Sequence, residues 1–299
     1  MSTFKKALLQ LHIFVFLAGL TAPIGNYIQL NGLMLVLYRM GLTTIAAVLL
    51  YIFTKHKSKI DNRIKVKLMG VGVLIALHWV CFYSSIKLAN VSIALVCFSS
   101  VGLFTVLLEP LFTKTKLVLN ELLIGLLSLV GILCIFQFYI NYREGIIVGL
   151  ISSFLAALFT ILNKKLTNNI APQTIQTFEM LGGFLFLALI VLLFNSYEKT
   201  SIILPSKSDW VWLIILALIC TVWANYLMLS SLKHISAFTL NVTLNLEPVY
   251  GIILAFLLFK EQKYLGVSFY VGISLITVSV LFQMLRVISE QKSTKLIKK

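Results

Sequence analysis

Apolar residues run along this chain in blocks of about twenty, separated by short polar joints. Ten such blocks are recognisable, near 6–28, 32–54, 64–88, 92–113, 119–139, 144–168, 171–195, 207–232, 236–259 and 264–285. Each has the length an α-helix needs to cross a hydrocarbon core. An isolated strand would leave its backbone unsatisfied in lipid, so helices are the expected element. The joints leave no room for a soluble domain. The pattern predicts an all-α polytopic membrane protein of ten transmembrane helices.

The two ends of the pattern resemble each other. "YSSIKLANVS" (Tyr83 to Ser92) closes the third block and opens the fourth; "LSSLKHIS" (Leu229 to Ser236) closes the eighth and opens the ninth. The fourth block ends in "FTKTK" and the ninth in "FKEQK", while "YRMG" in the second block matches "FEMLGG" in the seventh. The offset drifts from about 140 to 147, so the repeat is gapped. Five helices is an odd number, so the second half inserts upside down relative to the first. Inverted repeats place a solute site near the midplane where the halves meet. The expected organisation is 1–141 and 142–286 as two inverted five-helix repeats around a central cavity, with 287–299 as a basic tail.

Composition agrees. Of 299 residues, 60% are apolar and 12% charged, with a mean hydropathy of +0.99. A soluble protein of this size would expose large apolar patches. The formal charge of +15 reflects topology, and we read no nucleic-acid partner from it. Eighteen Lys and Arg lie in the segments around Lys5–Lys6, 55–67, 114–116, 164–165, Lys233 and 286–299, against six at Lys87, Arg143, Lys199, Lys207, Lys260 and Lys263. This bias puts both termini in the cytoplasm. The N-terminal "FKKALLQLHIFVFLAGLTAP" resembles a signal peptide; cleavage would leave an odd number of spans, so it is read as the first helix. Four cysteines (Cys81, Cys97, Cys134, Cys220) all fall in apolar blocks without a C-x-x-C pair, and are expected to pack rather than bind metal.

Candidate chemistry lies where the apolar pattern is broken. The ninth block carries Thr239, Asn241, Thr243, Asn245, Glu247 and Pro248 in its first half. At helical spacing Thr239, Thr243 and Glu247 fall within about 80°, and Asn241 and Asn245 form a second stripe. One stripe is expected to face a cavity and the other a neighbouring helix. Pro248 lacks an N–H, which would free the carbonyl of Leu244 and make a hinge. Ionised residues at a helix centre cost roughly 2.5–3.5 kcal/mol on insertion scales, so Arg39, Glu179 and Glu247 each need a partner or a role. Arg39 either caps carbonyls between helices or holds an anionic solute group. Glu247 either takes up a proton, contacts a solute amine or is a buried neutral carboxyl. Arg39 and Glu179 match between the halves at opposite depths, so they are not expected to pair with each other. His78, Trp79, Tyr83, Trp223, Asn225 and Tyr226 sit at mid-span, as cavity walls or as plain packing; His78 is a candidate proton shuttle or a structural histidine. Ser99 and Ser100 stand where the repeat places the polar part of the ninth block. The chain has no phosphate-binding loop, no H-E-x-x-H and no G-x-S-x-G, so neither an enzyme nor a cofactor is expected.

"LKHISAFTLNVTLNLEPVYGIILAFLLFKEQ" (Leu232 to Gln262) resembles the second-repeat signature of the drug/metabolite transporter superfamily, in its EamA-type ten-helix branch. Pro248 and Glu261 fall on that signature's fixed points. The first repeat departs from it, with no proline at the matching place and Lys114 where a glutamate is usual. The resemblance implies a basket of helices around a cavity, with helices 5 and 10 at the periphery. It also implies export or exchange by alternating access, often of amino acids or related metabolites, across a bacterial inner membrane. A proton is the candidate coupling ion, and Glu261 a helix-end structural residue. The alternatives are a multidrug exporter of hydrophobic cations, a flippase for a lipid-linked intermediate and an accessory membrane subunit.

Overall fold

A computed structural model describes residues 3–54, 57–113, 117–138, 140–167, 170–198, 203–244 and 246–297, with side chains placed outside 136–138, 167, 194–198, 237–238, 241–242, 280, 283–284 and 287–297. The described residues are helical, without strands. The helices are α1 (Thr3–Tyr27), α2 (Gly32–Phe53), α3 (Asn62–Leu88), α4 (Val91–Phe98), α5 (Val101–Thr113), α6 (Leu119–Phe138), α7 (Arg143–Thr167), α8 (Pro172–Glu198), α9 (Lys207–Ala217), α10 (Ala224–Leu232), α11 (Ala237–Leu244), α12 (Leu246–Phe259) and α13 (Val267–Ile297). α4 and α5 together make one crossing, as do α9 and α10, which are joined by a π-helical stretch at Leu218–Trp223. Seven runs are long and apolar enough to cross a membrane, and three shorter apolar helices (Leu119–Ile135, Leu246–Phe259 and Val267–Ser279) complete ten.

The helix starts follow from polar residues set just ahead of apolar runs. The side chains of Asn31, Asp61 and Asn90 accept from the backbone N–H groups of Met34, Ile64 and Ile93, which are orphan donors of a first turn. Ser206 and Asp209 form a reciprocal capping box at α9. At the far end of α12, Lys260 takes a left-handed backbone (φ 56°) and stops the helix.

The face that holds Thr3 is here called proximal, and the opposite face distal. The first helix of the first half, α1, runs from proximal to distal, and the first helix of the second half, α7, runs the other way, as an inverted repeat requires. The halves are interlaced. α1 packs on α10 and α12 of the second half, and α7 packs on α3, α4 and α5 of the first. α2 faces α8, and α6 runs antiparallel to α13 at the edge. In that last pair, a Cβ on Gly131 would stand 2.6 Å from the carbonyl of Gly272, and one on Gly272 would stand 2.6 Å from that of Gly131. Ser128 donates to Ser279 at 2.7 Å, and Arg286 pairs with Glu121 at 3.0 Å.

Small residues let these helices meet backbone to backbone, as membrane helices must without a hydrophobic drive between them. Gly72 of α3 lies against α8 so closely that a Cβ would run into the carbonyl oxygen of Glu179. On the distal face, Glu261 joins the halves: its carboxylate accepts from Val91 N (3.1 Å), Ser92 N (2.9 Å) and Ser92 Oγ (2.6 Å), and so caps α4 from across the repeat boundary.

Two outcomes are expected. Gly72→Leu destabilises the detergent-solubilised protein by about 1–3 kcal/mol, while Gly70→Leu, where nothing lies within 4 Å, stays within about 0.5 kcal/mol; thermal melts compare them. Glu261→Ala removes all three accepted bonds of the cap and costs about 1–2 kcal/mol, seen as a lower melting temperature and earlier hydrogen exchange at Val91–Ser92.

Candidate functional site

A cavity of about 70 Å³ lies at mid-depth between the two halves. Its walls come from both: Phe14, Ala18 and Thr21 of α1, Arg39 of α2, and Ile75, His78, Trp79 and Phe82 of α3 on one side. Phe98 of α4, Ala156, Phe159 and Thr160 of α7, Cys220, Asn225 and Met228 of the eighth crossing, and Leu244 and Glu247 of the ninth complete it. The lining is mostly apolar and aromatic, with a few polar groups that converge, the usual composition of a small-molecule site.

Arg39 is the centre of this arrangement. It is only 3% exposed and lies about 10 Å from the distal end of α2, at seven residues and 1.5 Å per residue. Its Nε donates to Thr221 Oγ1 at 2.9 Å, Nη1 to the Tyr83 hydroxyl at 2.7 Å and Nη2 to the Cys220 carbonyl at 3.5 Å. The guanidinium sits 4.0 Å over the Trp79 ring, a desolvated cation–π contact. Among the described residues no carboxylate comes within 4.0 Å of it.

The π-helical stretch supplies these partners. The Thr221 hydroxyl donates to the Leu216 carbonyl five residues back at 2.6 Å, and the Gln176 amide of α8 donates to the carbonyls of Thr221 (3.3 Å) and Val222 (3.0 Å). Widening the helix turns carbonyls away from the axis, and side chains of α2 and α8 satisfy them. Such bulges concentrate at functional sites.

Glu247 reaches the same cavity and is 4% exposed. Its carboxylate makes no hydrogen bond among the described residues. His78 Nδ1 lies 2.9 Å from the Ser152 carbonyl and 2.8 Å from its hydroxyl, while that hydroxyl donates to the His78 carbonyl at 3.1 Å. A carbonyl only accepts, so Nδ1 carries the proton. In the neutral ring Nε2 is then an acceptor. The ring packs among Phe82, Phe98 and Phe159.

Distal to Arg39 the bundle is closely packed. Tyr83 donates to the Thr21 carbonyl at 3.4 Å, and its ring fills the space a side chain on Gly25 would need. Lys87 Nζ donates to the Ile28 carbonyl at 2.6 Å, Gln29 N donates to Asp209 at 2.9 Å, and Tyr27 stacks on Trp212.

The structure thus brings Arg39, His78, Trp79, Asn225 and Glu247 to the cavity, with Tyr83 one bond behind. It does not bring Ser99, Ser100, Trp223, Tyr226 or Glu179 there. Ser99 and Ser100 are buried at the junction of α4 and α5, where their hydroxyls turn back to the carbonyls of Leu95 (3.3 Å) and Cys97 (2.8 Å). Trp223 is half exposed and lines a flank groove with Tyr226, Gln173 and Gln176. The reason is angular: Trp223 and Tyr226 share a helix face, and Asn225 points about 200° from Trp223. Glu179 is buried away from the cavity. Pro248 lies beside Glu247 in the helical stretch Leu246–Phe259 and does not line the cavity; its expected role as a hinge turns on Asn245, which lies outside the described residues. The side chain of Asn241, and Asn245 altogether, lie outside the described residues.

Sequence reasoning passed over Thr21, Thr221, Gln176, Ser152 and Thr160. For the last two a signal was available: Ser152, Ser153, Thr160 and Asn163 break the apolar pattern of the sixth block. The four are buried.

Known proteins can be set beside this geometry. A solved crystal structure covers 92% of this chain with 95% of its own at a TM-score of 0.66 and 14% identity, a likeness of fold alone. The uncharacterized transporter YetK of Bacillus subtilis (strain 168) is 30% identical over 171 residues, a match that takes in 53% of this chain and 51% of YetK. This chain therefore spans about half the length of that relative. The EamA-like transporter family matches over residues 5–137 and 143–285, one match to each five-helix half, and with both halves matched the chain belongs to that family.

Proposed function

We propose that this protein carries small zwitterionic metabolites, amino acids or close relatives, across a bacterial inner membrane by alternating access, with both termini in the cytoplasm. The observation that carries the reading is a guanidinium and a carboxyl group lining one cavity. Among the described residues Arg39 has no carboxylate partner, and Glu247 has no donor. A solute with a carboxylate and an ammonium complements both at once, and Arg is suited to grip a carboxylate through two parallel N–H groups. The Trp79 ring and the phenylalanines accept a modest apolar side chain.

The guanidinium speaks against a hydrophobic cation, which it would repel in a low-dielectric site. The flank groove formed by Leu37, Gly41, Ile45, Phe184 and Trp210 shares no lining residue with the cavity, which disfavours a lipid-linked substrate sliding in from the side. The cavity, at about 70 Å³, has room for a few waters and less than the roughly 150 Å³ that admits benzene. A solute therefore needs the helices to part. The packed distal layer makes the proximal side the one to open from this conformation.

Thermal-shift measurements on purified protein test the substrate class. Zwitterionic amino acids are expected to stabilise it, and their methyl esters and the corresponding amines are not. Glu247→Gln and Arg39→Gln each weaken the response roughly 10- to 100-fold in concentration, the worth of one hydrogen bond to a charged group. Stabilisation by hydrophobic cations and not by zwitterions would sink the reading.

Orientation has its own check. Alkaline phosphatase fused after Asn141 is expected to be active in a bacterial host, and fused after Lys299 inactive. The reverse pattern would turn the molecule over.

A further inference from the structure

Outside the cavity, α7 and α8 bury a second polar pair. Glu179 is 1% exposed and Asn163 is fully buried. Glu179 Oε1 and both side-chain polar atoms of Asn163 have no hydrogen-bond partner among the described residues, although the amide lies beside the carboxyl. Neither residue lines the cavity. Both are close to it. Asn163 stands one turn beyond Thr160 on α7, and the backbone of Glu179 touches Gly72, one turn before Ile75 on α3. Thr160 and Ile75 are cavity residues, so the pair lies about 5 Å to the proximal side.

The internal repeat sharpens the contrast. Arg39 is seven residues into α2 and Glu179 is seven residues into α8. The former is thus about 10 Å below the distal face and the latter about 10 Å from the proximal face. Arg39 finds two hydroxyls, a carbonyl and an indole ring. The carboxyl of its counterpart has only the Asn163 amide beside it, and its Oε1 has no hydrogen-bond partner among the described residues. A pair kept only for packing would be satisfied as Arg39 is, because unpaired polar atoms are costly in a membrane interior.

Among the described residues no basic side chain comes within 4.0 Å of the Glu179 carboxyl. On the elements packed against α8, the acidic, basic and imidazole side chains begin with Arg39 on α2, turned to Tyr83 and Thr221. α3 adds Arg63, Lys65, Lys67, His78 and Lys87; α7 adds Arg143, Glu144, Lys164 and Lys165; α10 adds none. Lys164 donates to the carbonyls of Leu232 and Ile235 at the proximal end, Lys65 lies over the Phe178 ring, and His78 Nδ1 is taken by Ser152. An alkali cation would be served by the carboxyl and amide oxygens but would leave the amide N–H groups orphaned. A proton on the carboxyl, with a water between carboxyl and amide, satisfies donors and acceptors alike.

We infer that Glu179 and Asn163 form a proton-binding site of their own, one helical turn to the proximal side of the solute cavity. The role of that proton as coupling ion rests on the transport reading, whereas its presence does not.

Infrared titration of the full chain in lipid nanodiscs, with pH alone as the probe, tests this. The Glu247→Gln protein is expected to show the carbonyl band of a protonated carboxylic acid that vanishes as pH rises, and the Glu247→Gln/Glu179→Gln protein to lack it. Asn163→Ala keeps the band and shifts its midpoint by about one pH unit, tenfold in proton affinity; this variant serves if Glu179→Gln fails to fold. A band that survives Glu179→Gln, no titrating band at all, an unmoved midpoint in Asn163→Ala, or a midpoint that follows sodium in place of potassium would each overturn the assignment.

Discussion

A guanidinium deep in an apolar bundle, with no carboxylate paired to it among the described residues, is the constraint around which this molecule is arranged. Leaving such an ion unsatisfied in hydrocarbon is too costly to be tolerated. Arg39 is accommodated by dipoles rather than by an opposite charge: the Thr221 and Tyr83 hydroxyls, the Cys220 carbonyl and the Trp79 face. Two of these partners exist in usable positions because the eighth crossing widens into a π stretch. Gln176 in turn steadies that stretch from α8. The cation therefore ties together α2, α3, the eighth crossing and, through Tyr83 and Thr21, α1. Those elements come from both halves.

Among the described residues no carboxylate pairs with Arg39, and Glu247 shares its cavity without closing on it. In a space of low dielectric each is a strong and directional partner for the polar group that meets it.

Much of the architecture was legible in the sequence because lipid enforces it. Ten apolar blocks have one simple reading, and the Ser-Ser-x-Lys turns located the repeat. The halves of the site differ in this respect. Arg39, Glu247 and His78 stand out because ionisable side chains are rare in such blocks, and all three reach the cavity. Trp223 and Tyr226 were grouped with Asn225 by proximity in sequence, but helix geometry separates them by more than a quarter turn. The break at Ser99–Ser100 carries no proline and left no warning. Thr221 and Gln176 were invisible for another reason. Their importance comes from a bulge in a neighbouring backbone, which depends on how two halves fit together and has no local pattern of its own.

The crossing of α6 and α13 lies far from this chemistry, yet it is the place where the inverted halves meet on equal terms, Gly131 and Gly272 each resting on the other's carbonyl. A contact that looks the same from either half sits on the molecule's internal two-fold axis. A single methyl group added at either glycine would wedge both halves apart at once, because each backbone is the other's nearest wall.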